Sequence, residues 1–350
     1  MNSIQYPTTR DAMFERLAER LGDVVPAVEL KLKAEIAVEV NRLKREKNAI
    51  ILGHNYMEPV LFHSVPDFTG DSLYLSRVAA KAEADIVIFC GVRFMAETAK
   101  ILNPDRMVLL PSAKGGCSLA ESITAGDVRA LRSRYPGVPV VTYVNTYADV
   151  KAESDYCVTS GNAEAMVRAL RAKGHDKILF LPDEYLAGNV AREVGMELIG
   201  PGRTDADRVA EAVIAWGGRC EVHEKFTVED IANVRKQFPD VVVLAHPECS
   251  PEVVAASDFS GSTTGMIKYV ENMTSGRYLL LTECSMGDNI AAKNPHREML
   301  RLCSVRCPHM NEITLEDTLE SLRKEHYKID VPEPIRSRAR VALDRMLEVG

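Results

Sequence analysis

The chain has 350 residues, enough for two domains or three small ones at roughly 100–200 residues each. Hydrophobic residues make up 46% and charged residues 27%, the balance of an ordinary globular chain. Fifty acidic against 43 basic residues give a net charge of −7 with no long Lys/Arg block, which argues against nucleic acid as a partner, since phosphate neutralisation needs a basic stripe.

Small anionic ligands stay open, because a few placed donors can hold them. No apolar run reaches the roughly 18 residues of a membrane span, and the first 25 residues lack the apolar core of a signal peptide. A cytoplasmic location is expected. Eight cysteines are then disfavoured as disulfides, so some should hold a metal or do chemistry, and about half should be small buried hydrophobes.

Residues 11–47 read as helix, with Leu30, Leu32, Ile36, Val40 and Leu43 on one stripe and Arg42, Lys44, Arg45 and Lys47 at its C-terminal end. Short apolar runs follow at 49–52, 86–90, 107–110, 139–144, 178–181, 212–216, 241–245, 278–282 and 299–303. Each leads through a polar turn into a helical pattern, as strands of a parallel sheet buried on both faces require. Caps mark the helices: Thr227 with Glu229 and Asp230, Thr314 with Asp317, and Gly174 closing a helix that begins near Asn162.

The fold class is α/β. First strands near 49, 139 and 241, and second strands near 86, 178 and 278, repeat at the length of a small α/β domain. That spacing predicts three αβα domains with parallel sheets at 41–118, 119–225 and 226–310. They lie between an N-terminal helical extension (1–40) and a C-terminal helical segment (311–350). No repeat shows residue-level identity, and one large doubly wound sheet is the alternative.

Ligands of open α/β sheets sit beyond the carboxyl ends of the strands. The loops expected there are GHNYME (53–58), YVNTYA (143–148) and AHPECS (245–250), then SAKGGC (112–117), GGRC (217–220) and CSVRC (303–307). One cysteine per repeat, Cys117, Cys220 and either Cys303 or Cys307, would suit a cubane cluster with one iron left without a protein ligand if the repeats pack around a pseudo-threefold axis. No C-x2-C pair, dinucleotide fingerprint, Walker A loop or G-x-S-x-G elbow occurs. Two other classes remain: a zinc hydrolase using Cys220, His223 and His246, and a non-catalytic iron–sulfur sensor. His223 otherwise belongs at a pocket mouth or surface turn.

The segments AIILGHNYMEP, FTGDSLYLSR, CGVRFMAETAKILNPD, VVTYVNTYADVKAESDYCVTSGNA, CEVH, LAHPEC, DFSGSTTGM and RCPHMNEITLEDTLESL resemble, in order, those of the quinolinate synthase (NadA) family. The resemblance covers about residue 40 to the end. It implies three αβα domains around a pseudo-threefold axis and condensation of iminoaspartate (iminosuccinate) with dihydroxyacetone phosphate to quinolinate in NAD biosynthesis. It also implies a 4Fe-4S cluster with three Cys ligands and one open iron as Lewis acid, with L-aspartate oxidase as a supplier of iminoaspartate.

Carried over by position, the ligands are Cys117, Cys220 and Cys307, the last preferred over Cys303 because RCPHMNEITLE matches the family's third-ligand segment. Catalytic positions fall on Tyr56, Tyr143 and Glu248, with Glu248 as base if desolvation raises its pKa. Substrate-binding positions fall on His54, Ser72, Tyr143, Val144, Asn145, Ser160, His246, Pro247, Glu248, Ser262 and Thr263. Cys303 and Cys307 depart from the C-x2-C-x2-C of some members, which puts a regulatory disulfide in doubt. Ser72 has a second reading as a helix cap, Tyr147 and Tyr185 as core residues with hydroxyls at the rim, and His63 and His175 as surface or turn residues. Cys90, Cys157, Cys249 and Cys284 are expected to be packed thiols.

Overall fold

The computed structural model describes residues 3–200, 203, 209–302 and 305–349. In chain order they form α1 (Arg10–Leu21), α2 (Ala27–Glu46), β1 (Ala49–His54), α3 (Pro59–Ser64), β2 (Phe68–Gly70), α4 (Ser72–Ala80), β3 (Ile86–Cys90), α5 (Arg93–Leu102) and β4 (Met107–Leu109). Next come α6 (Ser118–Glu121), α7 (Ala125–Arg134), β5 (Val140–Tyr143), α8 (Ala148–Ala152), β6 (Tyr156–Val158), α9 (Ala163–Ala172), β7 (Lys177–Leu181), α10 (Glu184–Val194), β8 (Glu197–Ile199) and β9 (Ala212–Ala215). Then follow α11 (Val228–Gln237), β10 (Val242–Ala245), α12 (Pro251–Ala256), β11 (Phe259–Ser260), α13 (Thr263–Asn272), β12 (Arg277–Leu281), α14 (Cys284–Lys293), β13 (Glu298–Arg301), α15 (Leu315–Lys324) and α16 (Glu333–Glu348).

The chain divides into two compact units, Met1–Gly116 with Glu283–Asp330, and Cys117–Thr282 with Val331–Gly350. The first unit holds a parallel sheet of order β2-β1-β3-β4. The second holds a parallel sheet of order β6-β5-β7-β9-β8 and, in a further sheet, the parallel neighbours β11-β10-β12. The α/β class is therefore right, with separate sheets rather than one large one. Central strands are buried end to end, as in IVIFC of β3, because helices cover both faces. Around β5 and β7 the core gathers Val140, Leu179, Leu181, Ala212 and Ile214 against Ile123 and Val128.

Each of the nine apolar runs contains a strand. Four further strands, β2, β6, β8 and β11, have only two or three residues. Their presence makes the runs at 86, 178 and 278 the third rather than the second strand of each set. The helix expected over 11–47 is two helices: the first stops at Gly22, and Pro26, which lacks an N–H to continue it, starts the second. His63 is buried at 3% exposure, not a surface or turn residue.

The three sets share a device that the sequence reading missed. Asp67, Asp155 and Asp258 each stand just before the short second strand. Each carboxylate accepts the N–H of a first-strand residue, Ile51, Val140 or Val243, at 2.8 Å. Each aspartate N–H returns a bond to the carbonyl of that same residue, at 2.8, 2.9 and 2.9 Å. Each also pairs with a cation from the helix preceding the first strand: Lys44 at 2.9 Å, Arg132 at 2.8 Å and Arg235 at 2.9 Å. One aspartate thus fixes the register of two strands, three times over.

Candidate active site

Counting from this latch locates almost every candidate residue. Three positions beyond the latched N–H, at the carboxyl end of the first strand, stand His54, Tyr143 and His246. Two further on come Tyr56, Asn145 and Glu248; five beyond the aspartate come Ser72, Ser160 and Thr263. The strands are parallel, so these positions share the carboxyl edge of each sheet, where helix N-termini present N–H groups. Asp71 caps α4, accepting from Tyr74 N–H at 2.9 Å, so Ser72 is its first residue and not its cap. Ser262 caps α13 by accepting from Gly265 N–H at 3.2 Å, and Thr263 follows it.

The two strand-end histidines are oriented alike. His54 Nδ1 accepts the Tyr56 N–H at 3.2 Å, and His246 Nδ1 accepts the Glu248 N–H at 3.3 Å. An accepting Nδ1 leaves the proton of a neutral ring on Nε2, which makes each Nε2–H a donor facing away from its own loop. In the second unit, His246 Nε2 lies 3.2 Å from Ser160 Oγ.

Glu248 is the centre of that unit's cluster, at 3% exposure. Asn145 Nδ2 donates to its Oε1 at 3.2 Å, and His223 Nδ1 lies 2.6 Å from its Oε2. The His223 ring stacks on His246 with centroids 4.6 Å apart, and its Nε2 lies 3.0 Å from Thr282 Oγ1. Burial pushes the Glu248 carboxyl up, but His223, His246 and the Tyr143 hydroxyl outweigh it and hold the group below its usual range. The expected upward shift is thus reversed, and Glu248 is a carboxylate at neutral pH. His223, at 2% exposure, is no surface residue. Its C-x2-H spacing from Cys220 was its only trace in the sequence.

The cysteines sort by burial. Among the described residues, Cys117, Cys220 and Cys307 are half-exposed, whereas Cys90, Cys157, Cys249 and Cys284 are buried, as packed thiols should be. Burial pushes the Cys90 thiol up to about 12 and the Cys157 thiol up to about 11, which leaves both inert. Cys303 lies outside the described residues.

Each half-exposed cysteine begins the same hook. Its carbonyl accepts the N–H four residues on, from Glu121, Glu224 or Asn311, at 3.0, 3.0 and 3.1 Å. A threonine seven residues on, Thr124, Thr227 or Thr314, then caps a helix by accepting from Asp127, Asp230 or Asp317 N–H. The pattern C-x6-T-x2-D therefore occurs three times, a residue-level repeat that was visible in the sequence and overlooked.

In the second unit, two of these loops are joined side by side. Ser118 Oγ donates to Glu221 Oε1 at 2.7 Å and Trp216 Nε1–H to Ser122 O at 3.0 Å. A Cβ on Gly218 would lie 2.5 Å from Ser122 Oγ and 2.6 Å from Pro182 O, so only glycine lets the chains approach. Burial, Glu248 and Cys117 all push the Cys220 thiol up. A group of thiols and a carboxylate whose anionic forms repel one another is a donor set that a cationic metal centre relieves. Cys220, His223 and Glu248 present donor atoms within 4.8 Å of one another. Glu248, not His246, is the third member.

The second unit thus brings together Tyr143, Asn145, Ser160, His246 and Glu248, with Val144 buried beside them and the Pro247 carbonyl accepting from Asn189 Nδ2 at 2.8 Å. The first unit carries His54, Tyr56 and Ser72 on its own sheet edge, and Cys307, whose N–H is bonded to the Glu283 carboxylate. No helix among the described residues is long and apolar enough to cross a membrane.

The family described as quinolinate synthetase A protein matches residues 38–348. Quinolinate synthase 2 of Mesorhizobium japonicum is 50% identical over 333 residues, covering 95% of this chain and 97% of that protein. The quinolinate synthase of Agrobacterium fabrum is 50% identical over 333 residues (95% and 91%), and that of Caulobacter vibrioides 48% over 332 (95% and 86%). With a match of this extent on a fold and sheet edge of this kind, the chain belongs to the quinolinate synthetase A family.

Proposed function

We propose that this enzyme condenses iminoaspartate with dihydroxyacetone phosphate, releasing phosphate and two waters to give quinolinate. Atoms balance without an external oxidant or reductant, so the chemistry asks for acid–base groups and an electrophile rather than an electron carrier. The observation that carries the reading is the buried Glu248 carboxylate, paired with His223, whose ring stacks on His246, beside the joined Cys117 and Cys220 loops.

Glu248 is the base for a carbon-bound proton: the lowered pKa keeps it ionised and a weak base, and His223, 2.6 Å away, offsets this by taking the proton onward. The Tyr143 and Tyr56 hydroxyls return protons to departing oxygens. His54 and His246 donate through Nε2, and Ser72, Asn145, Ser160, Ser262 and Thr263 supply further donors to carboxylates and phosphate, with Val144 and Pro247 shaping the loops that carry Tyr143 and Glu248.

The ligands of a 4Fe-4S cluster are Cys117, Cys220 and Cys307, and the repeated C-x6-T-x2-D hook supports Cys307 over Cys303. When bound, a cluster with one iron lacking a protein ligand supplies a Lewis acid for a substrate oxygen. The same hook, latch and strand order support domain limits at 41–118, 119–225 and 226–310. Iminoaspartate hydrolyses readily in water, which fits L-aspartate oxidase as the supplying enzyme.

The close group Cys220, His223 and Glu248 favours a second reading, a zinc hydrolase. That reading leaves the three identical cysteine hooks unexplained. Anaerobic purification with iron, sulfide and zinc counts, followed by a quinolinate assay, decides. Four irons and four sulfides with quinolinate formed support the condensation; one zinc without iron and no quinolinate overturns it.

A further inference from the structure

The three strand-end loops are not held in the same way. After β1 and after β10 a histidine ring pins its loop by accepting the N–H two residues on. Tyr143 has no ring nitrogen for this. Its loop is held from beneath by Lys151 on α8, which is fully buried. Lys151 Nζ donates to Val144 O at 2.8 Å and to Thr146 O, with Thr146 Oγ1 at 3.5 Å. Thr146 tightens the same turn: its N–H donates to Val144 O at 2.8 Å, and its Oγ1–H donates to Tyr143 O at 3.1 Å.

Eight residues beyond the strand end, where Lys151 stands, the other two sets carry Phe62 and Val254, both buried and apolar. Burying an ammonium group is costly unless its protons are hydrogen-bonded, so a lysine at a position otherwise filled by an apolar side chain needs a specific partner. Its partners are the carbonyls of the turn that presents Tyr143 and Asn145 towards Glu248.

We infer that Lys151 is a positioning residue: it replaces the histidine pin and thereby lets a tyrosine, with its hydroxyl, occupy the strand end. The inference rests on the reading of Tyr143 and Asn145 as reaction-facing groups. A turn displaced by about an ångström would cost on the order of 10²-fold in rate through lost alignment.

The test is a double-variant comparison on the full chain with its metal centre reconstituted. Lys151→Met should lower kcat by about 10²-fold with a smaller change in KM, and Lys151→Met combined with Tyr143→Phe should lose at least severalfold less than the product of the two single losses, the remainder being the displaced Asn145. A purely packing role would give additive losses, and either additivity or an unchanged kcat in folded Lys151→Met overturns the inference. If Lys151→Met does not fold, Thr146→Val removes the hydroxyl that holds Tyr143 O and is expected to show the same non-additivity; unchanged kcat there overturns it too. Full activity of both Tyr143→Phe and Asn145→Ala would sink the reading of the site itself, and this inference with it. Defective single variants that combine additively sink only the role of Lys151.

Discussion

Replacing His63 by leucine should remove a pH dependence from folding. The imidazole is buried on α3, and its Nε2 has no hydrogen-bond partner among the described residues. Burial, followed by the charges of Lys293, Arg20 and Arg16, lowers its pKa from 6.5 to about 3. The folded value is depressed, so the unfolded chain takes up the proton first as pH falls. The histidine's contribution is intact above about pH 6.5 and is lost progressively between 6.5 and about 3.

Between pH 7 and pH 5 the unfolded imidazole gains about 1.5 pH units of protonation free energy, or about 2 kcal/mol at 1.36 kcal/mol per unit. The folded one gains almost none. Any folded value below about 4 gives the same result, which makes the figure insensitive to the exact shift. Urea unfolding at pH 7 and pH 5 should therefore show the unsubstituted protein losing about 2 kcal/mol more than His63→Leu. Equal losses would mean that His63 becomes charged in the folded state, and the argument from burial and three nearby cations would be wrong.

Single replacement of Cys117, Cys220 or Cys307 by serine should abolish most cluster absorbance under anaerobic conditions, whereas Cys303→Ser should keep it; the reverse pattern for 303 and 307 would show the hook to be a poor guide. Glu248→Gln should assemble the metal centre normally yet lower kcat by about 10²-fold or more, as read by a quinolinate assay. Near-normal turnover would reduce Glu248 to a substrate holder. Gly218→Ala places a methyl against Ser122 Oγ and Pro182 O and should part the two cysteine loops. Iron retention after gel filtration should fall at least severalfold, and full retention would refute the close approach.

The sequence showed the parts of this fold that a buried parallel strand imposes on composition. Nine apolar runs were legible because both faces of each strand are covered. The short strands were not, since Phe68–Gly70 and Phe259–Ser260 are too brief and too polar to show a run. The break in the N-terminal helix was written in Gly22 and Pro26 and was overridden by the continuing apolar stripe. His223 escaped because a lone C-x2-H carries no hint of a glutamate 25 residues away; only tertiary folding brings Glu248 to within 2.6 Å. Asp67, Asp155 and Asp258 each precede an aromatic residue, a dipeptide too short to notice until their matching hydrogen bonds showed what it was for.

The latch also separates address from content. An aspartate fixes where each strand ends by bonding to backbone, and backbone geometry is indifferent to which side chain stands three or five positions away. The same three addresses hold histidine, tyrosine and histidine; tyrosine, asparagine and glutamate; serine, serine and threonine. Chemistry can therefore be rewritten at a strand end as long as the loop after it keeps a pin, a histidine ring or a buried lysine. A designer who keeps the three aspartates, their cations and one pin per loop has three addresses on each sheet edge on which to write a different reaction.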